Sequence, residues 1–258
     1  MEFGVASHVD VVDASLDGIL GLGPAALSLH VITPKPDEPV PAITDALLVQ
    51  NKIRRSMFGV SFAPATSQGI VNGILNLGGT DRRKYTGKLN WVDVTKHEIW
   101  SQYWGFEQAI KYGKQTIQPL SVGTVDTVKS GTTLIHIRPQ AFEAYYRSIP
   151  GSKIDKSTGL LEIPEESLEK MKDMSFVING VSYELTPNAQ LWPRALNNMA
   201  HLNAGKYYSV INVLGNNELD HGINFIIGYV FLQRFYTGYD VSKSRVGFAY
   251  TSSTYDVK

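Results

Sequence analysis

The sequence predicts an all-β fold on three observations. Short runs rich in Val, Ile, Phe and Tyr recur along the chain, the breaks between them carry Gly, Asn, Asp and Pro, and the helical stretches are few and short. In "FGVSFAP" (58–64), "VNGILNLGG" (71–79), "GKLNWVDV" (87–94), "SFVINGVSYEL" (175–185) and "RVGFAY" (245–250) each run is long enough for one strand and is bounded by a turn former.

Taken in order, "GLGPAA" (21–26) comes first and predicts a tight turn. It has the spacing of a dinucleotide fingerprint, but the long helix that fingerprint needs is replaced by a Pro-rich run. That run, "HVITPKPDEPVPA" (30–42), holds Pro34, Pro36, Pro39 and Pro41 and predicts an extended surface loop. "PAITDALLVQNKI" (41–53) predicts a helix with Ile43, Leu47 and Leu48 on its core face. "GGTDRRKYTG" (78–87) is a connection with a solvated basic tip. "RPQAFEAYYRSI" (138–149) predicts a helix that starts at Pro139 and buries Phe142, Tyr145 and Tyr146. "PEESLEKMKDM" (164–174) predicts a third, acidic at its start and basic later, as the helix dipole favours. In "INGVSYEL", Asn179-Gly180 predicts a type I′ hairpin, because both residues tolerate positive φ.

Composition narrows the function. The 258 residues are 43% hydrophobic and 19% charged, a globular balance. With 24 basic against 24 acidic residues there is no cationic surplus to hold a nucleic acid. The absence of cysteine removes disulfides, thiolate nucleophiles and Cys-ligated metals. No apolar run reaches the roughly 18–20 residues of a membrane span, and "MEFGVASHVDV" has no signal-peptide pattern. His97-Glu98 is not followed by the second histidine of a zinc-protease motif, the remaining histidines share no metal-ligand spacing, and no G-x-S-x-G elbow occurs. Neither a metal nor a cofactor is expected, nor a nucleic-acid or membrane partner.

Five separated motifs carry the functional reading: "LDGILGLG" (16–23), "NGILNLGGTDRRKYTGKLNWVDV" (72–94), "VDTVKSGTTLIHI" (125–137), "ELTPNAQLWP" (184–193) and "NFIIGYVFLQRFYTGYDVSKSRVGFA" (224–249). In this order they resemble the pepsin-like aspartic proteases, most of all the secreted fungal type, from about Gly4 to Ala249. The resemblance implies a bilobal, β-rich fold, with residues 1–93 as part of an N-terminal lobe and 94–258 as a C-terminal lobe. It implies peptide-bond hydrolysis on peptide or protein substrates, and secretion. In that family each lobe supplies one Asp from a D-[ST]-G-[ST] loop packed under an apolar-apolar-Gly motif, here Ile226-Ile227-Gly228. The chemistry needs both, because carboxylates about 3 Å apart cannot both ionise and so share one proton. One activates water while the other polarises the scissile carbonyl.

The sequence departs from the pattern in two places. No D-[ST]-G precedes Asp17, so the first catalytic Asp and the flap hairpin are expected to be missing and the chain to be inactive alone. The second loop has two alignments. In one, Asp126 is the catalytic acid and Val128-Lys129-Ser130 are inserted before Gly131-Thr132-Thr133. In the other, the match has no gap and Lys129 stands where the Asp belongs. Gly123, Val125, Asp126 and Thr127 all fit the family's approach to the loop and favour the insertion. Under either alignment the resemblance places Gly131, Thr132 and Thr133 beside the substrate. A non-catalytic pseudoprotease that binds peptide or protein in the cleft is the alternative.

Overall fold

The structure is a computed structural model that describes residues 20–30, 37–67, 69–97, 99–125 and 132–257, with the side chain of Met199 excepted. Helix α1 (Ile43–Val49) is followed by strands β1 (Met57–Phe62), β2 (Gly73–Leu77), β3 (Asn90–Asp93), β4 (Gly105–Tyr112), β5 (Gln115–Val125) and β6 (Ile135–Ile137). Helix α2 (Pro139–Arg147) leads to β7 (Lys153–Ile154), β8 (Leu161–Ile163), β9 (Met174–Ile178), β10 (Val181–Leu185), β11 (Tyr207–Tyr208) and β12 (Ile211–Val213). Helix α3 (Asn216–Asp220), β13 (Phe225–Ile227), helix α4 (Tyr229–Leu232), β14 (Phe235–Asp240) and β15 (Arg245–Tyr250) complete the order. The all-β expectation holds.

The strands form a five-stranded sheet (β2-β1-β14-β15-β3), a seven-stranded sheet (β10-β9-β4-β5-β13-β6-β12) and a small one (β11-β8-β7). The first sheet unites strands far apart in sequence: β1 and β3 flank the terminal hairpin β14–β15, with Gly59 opposite Gly238 and Trp91 opposite Gly247. At Gly247 a Cβ would fall 2.8 Å from the Trp91 ring, so the small residue lets the indole lie flat on the strand.

Aromatic rings join the two large sheets. Phe106 on β4 lies 5.1 Å from Phe248 on β15 and 5.3 Å from Phe225 on β13. Tyr183 on β10 completes the contact, its hydroxyl donating to the Phe248 carbonyl at 3.0 Å. Offset aromatic pairs of this kind add about 0.5–1.5 kcal/mol each beyond area burial.

The strand pair β4–β5 is the longest in the fold and was not among the runs picked out from sequence. Its signal is the alternation Phe106, Gln108, Ile110, Tyr112, all buried, with Glu107 and Lys111 exposed between them. Pro119 lies within β5, where the register shifts between Gln108 and Ile110, the irregular position at which a strand tolerates a residue without N–H.

The Asn179-Gly180 turn forms as expected, at φ 44° and 77°. Helix α2 starts at Pro139 and buries Phe142 and Tyr145, with Tyr146 partly buried. Two expectations need correction. The stretch 164–174 forms a 3-10 helix over Glu165–Lys170 and then enters β9, because Pro164 and Met171 hold extended backbone on either side. On α1 the buried residue is Thr44 and Leu48 is exposed, since Ser56 Oγ, which donates to Asp45 at 2.6 Å and lies 3.1 Å from the Thr44 hydroxyl, draws that face inward. The loop expected over 30–42 falls partly outside the described residues; Asp37–Ala42 lie outside helix and strand.

Candidate functional site

The site is built on β13. Its C-terminal end is flanked on one side by β5, which runs parallel to it with Thr124 opposite Ile226 and Val125 opposite Ile227. On the other side β6 runs antiparallel, with Ile226 opposite His136. Two glycines permit this packing. At Gly123 a Cβ would meet the Phe225 ring at 2.4 Å, and at Gly228 it would meet the Leu134 carbonyl oxygen at 2.2 Å and that of Thr132 at 2.4 Å. The chain returning toward β6 is then pinned to the start of α4. Tyr229 N–H donates to the Thr132 carbonyl at 2.9 Å, and Val230 N–H to that of Thr133 at 3.0 Å.

Val125 and Thr132 therefore stand on opposite sides of the Ile227-Gly228 end of one strand. Asp126, Lys129 and Gly131, with Thr127, Val128 and Ser130, lie outside the described residues. Thr132 and Thr133 are described, and both border a cleft of about 440 Å³. These are the two expected substrate-side residues whose positions the structure describes.

The rest of the cleft was not legible beforehand. Leu134, Leu160, Trp192 and Leu202 give it apolar walls, and His136 and His201 add polar ones. Trp192 occurs in the quoted "ELTPNAQLWP" run, but that run gave it no role; its placement is tertiary, its backbone N–H donating to the Tyr208 carbonyl at 2.8 Å. Ser157 and Thr158 reach the cleft from the turn between β7 and β8.

Tyr229, directly after Gly228, ties the site to the other sheet. Its hydroxyl exchanges hydrogen bonds with the Asn72 amide at 2.9 and 3.1 Å, and its ring sits edge-on to Phe62 at 4.9 Å. Behind the site, Tyr145 is fully buried against Ser209 at 3.1 Å, and burial drives its phenol pKa far upward. Among the described residues no group of three His, Asp or Glu side chains converges as a metal site requires, and no helix is long and apolar enough to cross a membrane.

Known proteins share this arrangement. Residues 1–251 match the family described as "Eukaryotic aspartyl protease". Polyporopepsin of Irpex lacteus is 40% identical over 252 residues, 97% of this chain and 72% of that protein. Cathepsin E of Rattus norvegicus is 30% identical over 238 residues, 92% of this chain and 54% of that protein, so the chain spans about half of this relative's length. The crystal structure of the aspartic proteinase from Irpex lacteus superposes with a TM-score of 0.89 at 38% identity, covering 98% of this chain and 73% of that one. The β13 frame, the Thr132–Thr133 cleft and these matches together show that the chain belongs to the eukaryotic aspartyl protease family.

Proposed function

We propose that the chain carries one half of the site of an aspartic-type endopeptidase: a cleft that receives an extended peptide alongside Thr132 and Thr133, with Asp126 as the acid of the preceding loop. Residues 94–258 act in this reading as the C-terminal lobe, and residues 1–93 as part of the N-terminal lobe. The observation that carries it is the pinning of Thr132 and Thr133 to the backbone after Gly228, which fixes one wall of the cleft next to the end of β13.

Catalysis by this family's chemistry requires a second carboxylate within about 3 Å, so that the pair holds one proton between them. The 258 residues contain no D-[ST]-G, and Val128-Lys129-Ser130 separate Asp126-Thr127 from Gly131. We infer that these residues by themselves bind peptide without cutting it. The relatives named pepsin and cathepsin support peptide or protein substrates, and the fungal resemblance supports secretion.

The test is calorimetric titration of the purified chain with an octapeptide centred on Leu-Phe at about pH 4, followed by chromatography of the mixture. Saturable heat with an intact peptide is the predicted result. Absence of any binding overturns the cleft assignment, and peptide fragments overturn the inference of binding without turnover.

A further inference from the structure

A second contributor to the cleft that Thr132 and Thr133 border is a hairpin turn, residues 155–160, between β7 and β8. Its backbone closes on Asp155: Asp155 N–H donates to Leu160 at 2.8 Å, and Thr158 and Gly159 N–H donate to the Asp155 carbonyl at 3.2 and 2.7 Å. The Asp155 carboxylate does two further things. Its Oδ1 accepts from Ser157 N–H at 2.9 Å and from Ser157 Oγ at 2.6 Å, which fixes the tip of the turn. Its Oδ2 accepts from the buried Tyr208 hydroxyl at 2.9 Å, which ties the turn to a different strand.

Tyr208 is the link between the two sides. Its carbonyl holds Trp192 N–H at 2.8 Å, and Ser209, next in sequence, holds Leu161 through its N–H at 2.9 Å. One carboxylate thus sets the relative position of three cleft residues from the turn (Ser157, Thr158 and Leu160) and of Trp192. The faces they present are mainly apolar, suited to a bulky aliphatic or aromatic peptide side chain.

We propose that Asp155 is the positioning residue of this cleft, gripping the 155–160 turn and, through Tyr208, the Trp192 wall around an apolar substrate side chain. This rests on the reading of the cleft as a peptide site. Asp155 touches no substrate itself; it acts by holding the walls that do.

At acid pH such a tie holds only while the carboxylate stays ionised. The hydrogen bonds from Ser157 and Tyr208, helped by the Lys206 charge, hold the Asp155 carboxyl down to about 2. A carboxyl lowered in the folded state contributes above its ordinary range and loses that contribution as pH falls through its folded value. The turn therefore stays anchored across about pH 3–5, where an ordinary Asp, at about 3.9, would release it. Tyr208 on β11, Lys206 before it, Glu162 on β8 with its partners Lys206 and Lys153, and Lys156 in the turn are the other charged or titratable groups around Asp155. His136 and His201 line the cleft itself.

The test is the anisotropy of a tetramethylrhodamine-labelled octapeptide centred on Leu-Phe, titrated with wild type, Asp155→Asn, Asp155→Ala and Tyr208→Phe at half-unit steps over about pH 3–5. The wild-type Kd is expected to show no titration that Asp155→Asn lacks, since any slope common to both belongs to groups other than Asp155. Asp155→Ala is expected to weaken binding about tenfold, the worth of one charge-assisted bond, and Tyr208→Phe by less, each at a pH where the variant remains folded and by more than its loss of thermal stability accounts for. Equal affinity in all four chains overturns the proposal while leaving the cleft reading intact. A wild-type midpoint near 4 that Asp155→Asn abolishes, or affinity losses that merely follow losses of thermal stability, also overturn it. No binding by wild type at any pH overturns the cleft reading and the proposal with it.

Discussion

Gly228 faces the Leu134 carbonyl so closely that a methyl group in place of its hydrogen would lie 2.2 Å from the oxygen. The obstacle is backbone, not a side chain that can swing away. Gly228→Ala is therefore expected to push the 132–134 segment off the start of α4 and to cost about 1–3 kcal/mol, the usual price of overpacking. Urea unfolding measures the loss, and hydrogen exchange at Tyr229 and Val230 should accelerate beyond the global change, because those amides bond Thr132 and Thr133.

Gln108 gives a prediction of opposite sign. It is fully buried on the inward face of β4, and neither its amide nitrogen nor its amide oxygen has a hydrogen-bond partner among the described residues. An unmatched buried polar group costs about 1–3 kcal/mol, whereas an apolar side chain of similar shape carries no such cost. Gln108→Met should raise the free energy of unfolding by about 1 kcal/mol or more; a decrease on urea titration would show that the amide is satisfied in solution.

Alkaline stability follows from the buried phenols. Burial is the main cause that raises Tyr183 and Tyr250 to about 12, and it drives Tyr145 higher still. A phenol raised in the folded state keeps its proton longer than in the unfolded chain, so its contribution is complete below about 10 and is lost as pH climbs from there toward 12. Tyrosinate absorbance during an alkaline titration should rise in two stages, exposed phenols first and the buried or partly buried ones, Tyr145, Tyr183 and Tyr250 among them, only together with loss of fold. A single stage near the ordinary value would contradict this burial.

The two alignments of the loop before Thr132 make different forecasts for one deletion. Removing Val128, Lys129 and Ser130 joins Asp126-Thr127 directly to Gly131-Thr132-Thr133. If the three residues are an insertion, the shortened chain should fold and bind the octapeptide at least as tightly as wild type. If Lys129 occupies the catalytic position, the deletion removes up to about 10 Å of needed chain and should weaken both folding and binding.

Much of this was legible in the sequence because the signals were local. Asn179-Gly180 specified its hairpin through positive φ and Pro139 marked the start of α2, while Thr132 and Thr133, named from the resemblance, are pinned after Gly228 and border the cleft. What was missed depends on distant partners. Leu48 has helical apolar spacing but stays 37% exposed among the described residues, and Glu165–Lys170 has helical composition but too little length between two extended residues to settle as α-helix. The Asp155–Tyr208–Trp192 chain joins three segments that no periodicity relates. Asp126 and Lys129 remain where the sequence left them, as alternatives for one position.

The most direct measurement is proteolysis itself. Wild type and Asp126→Asn, each purified, are incubated with an acid-denatured protein substrate at about pH 3–5, with and without pepstatin, and the digest is read by mass spectrometry. Binding without turnover predicts no new termini from either chain. Pepstatin-sensitive fragments from wild type that vanish in Asp126→Asn would contradict it, and would make Asp126 one member of a working dyad.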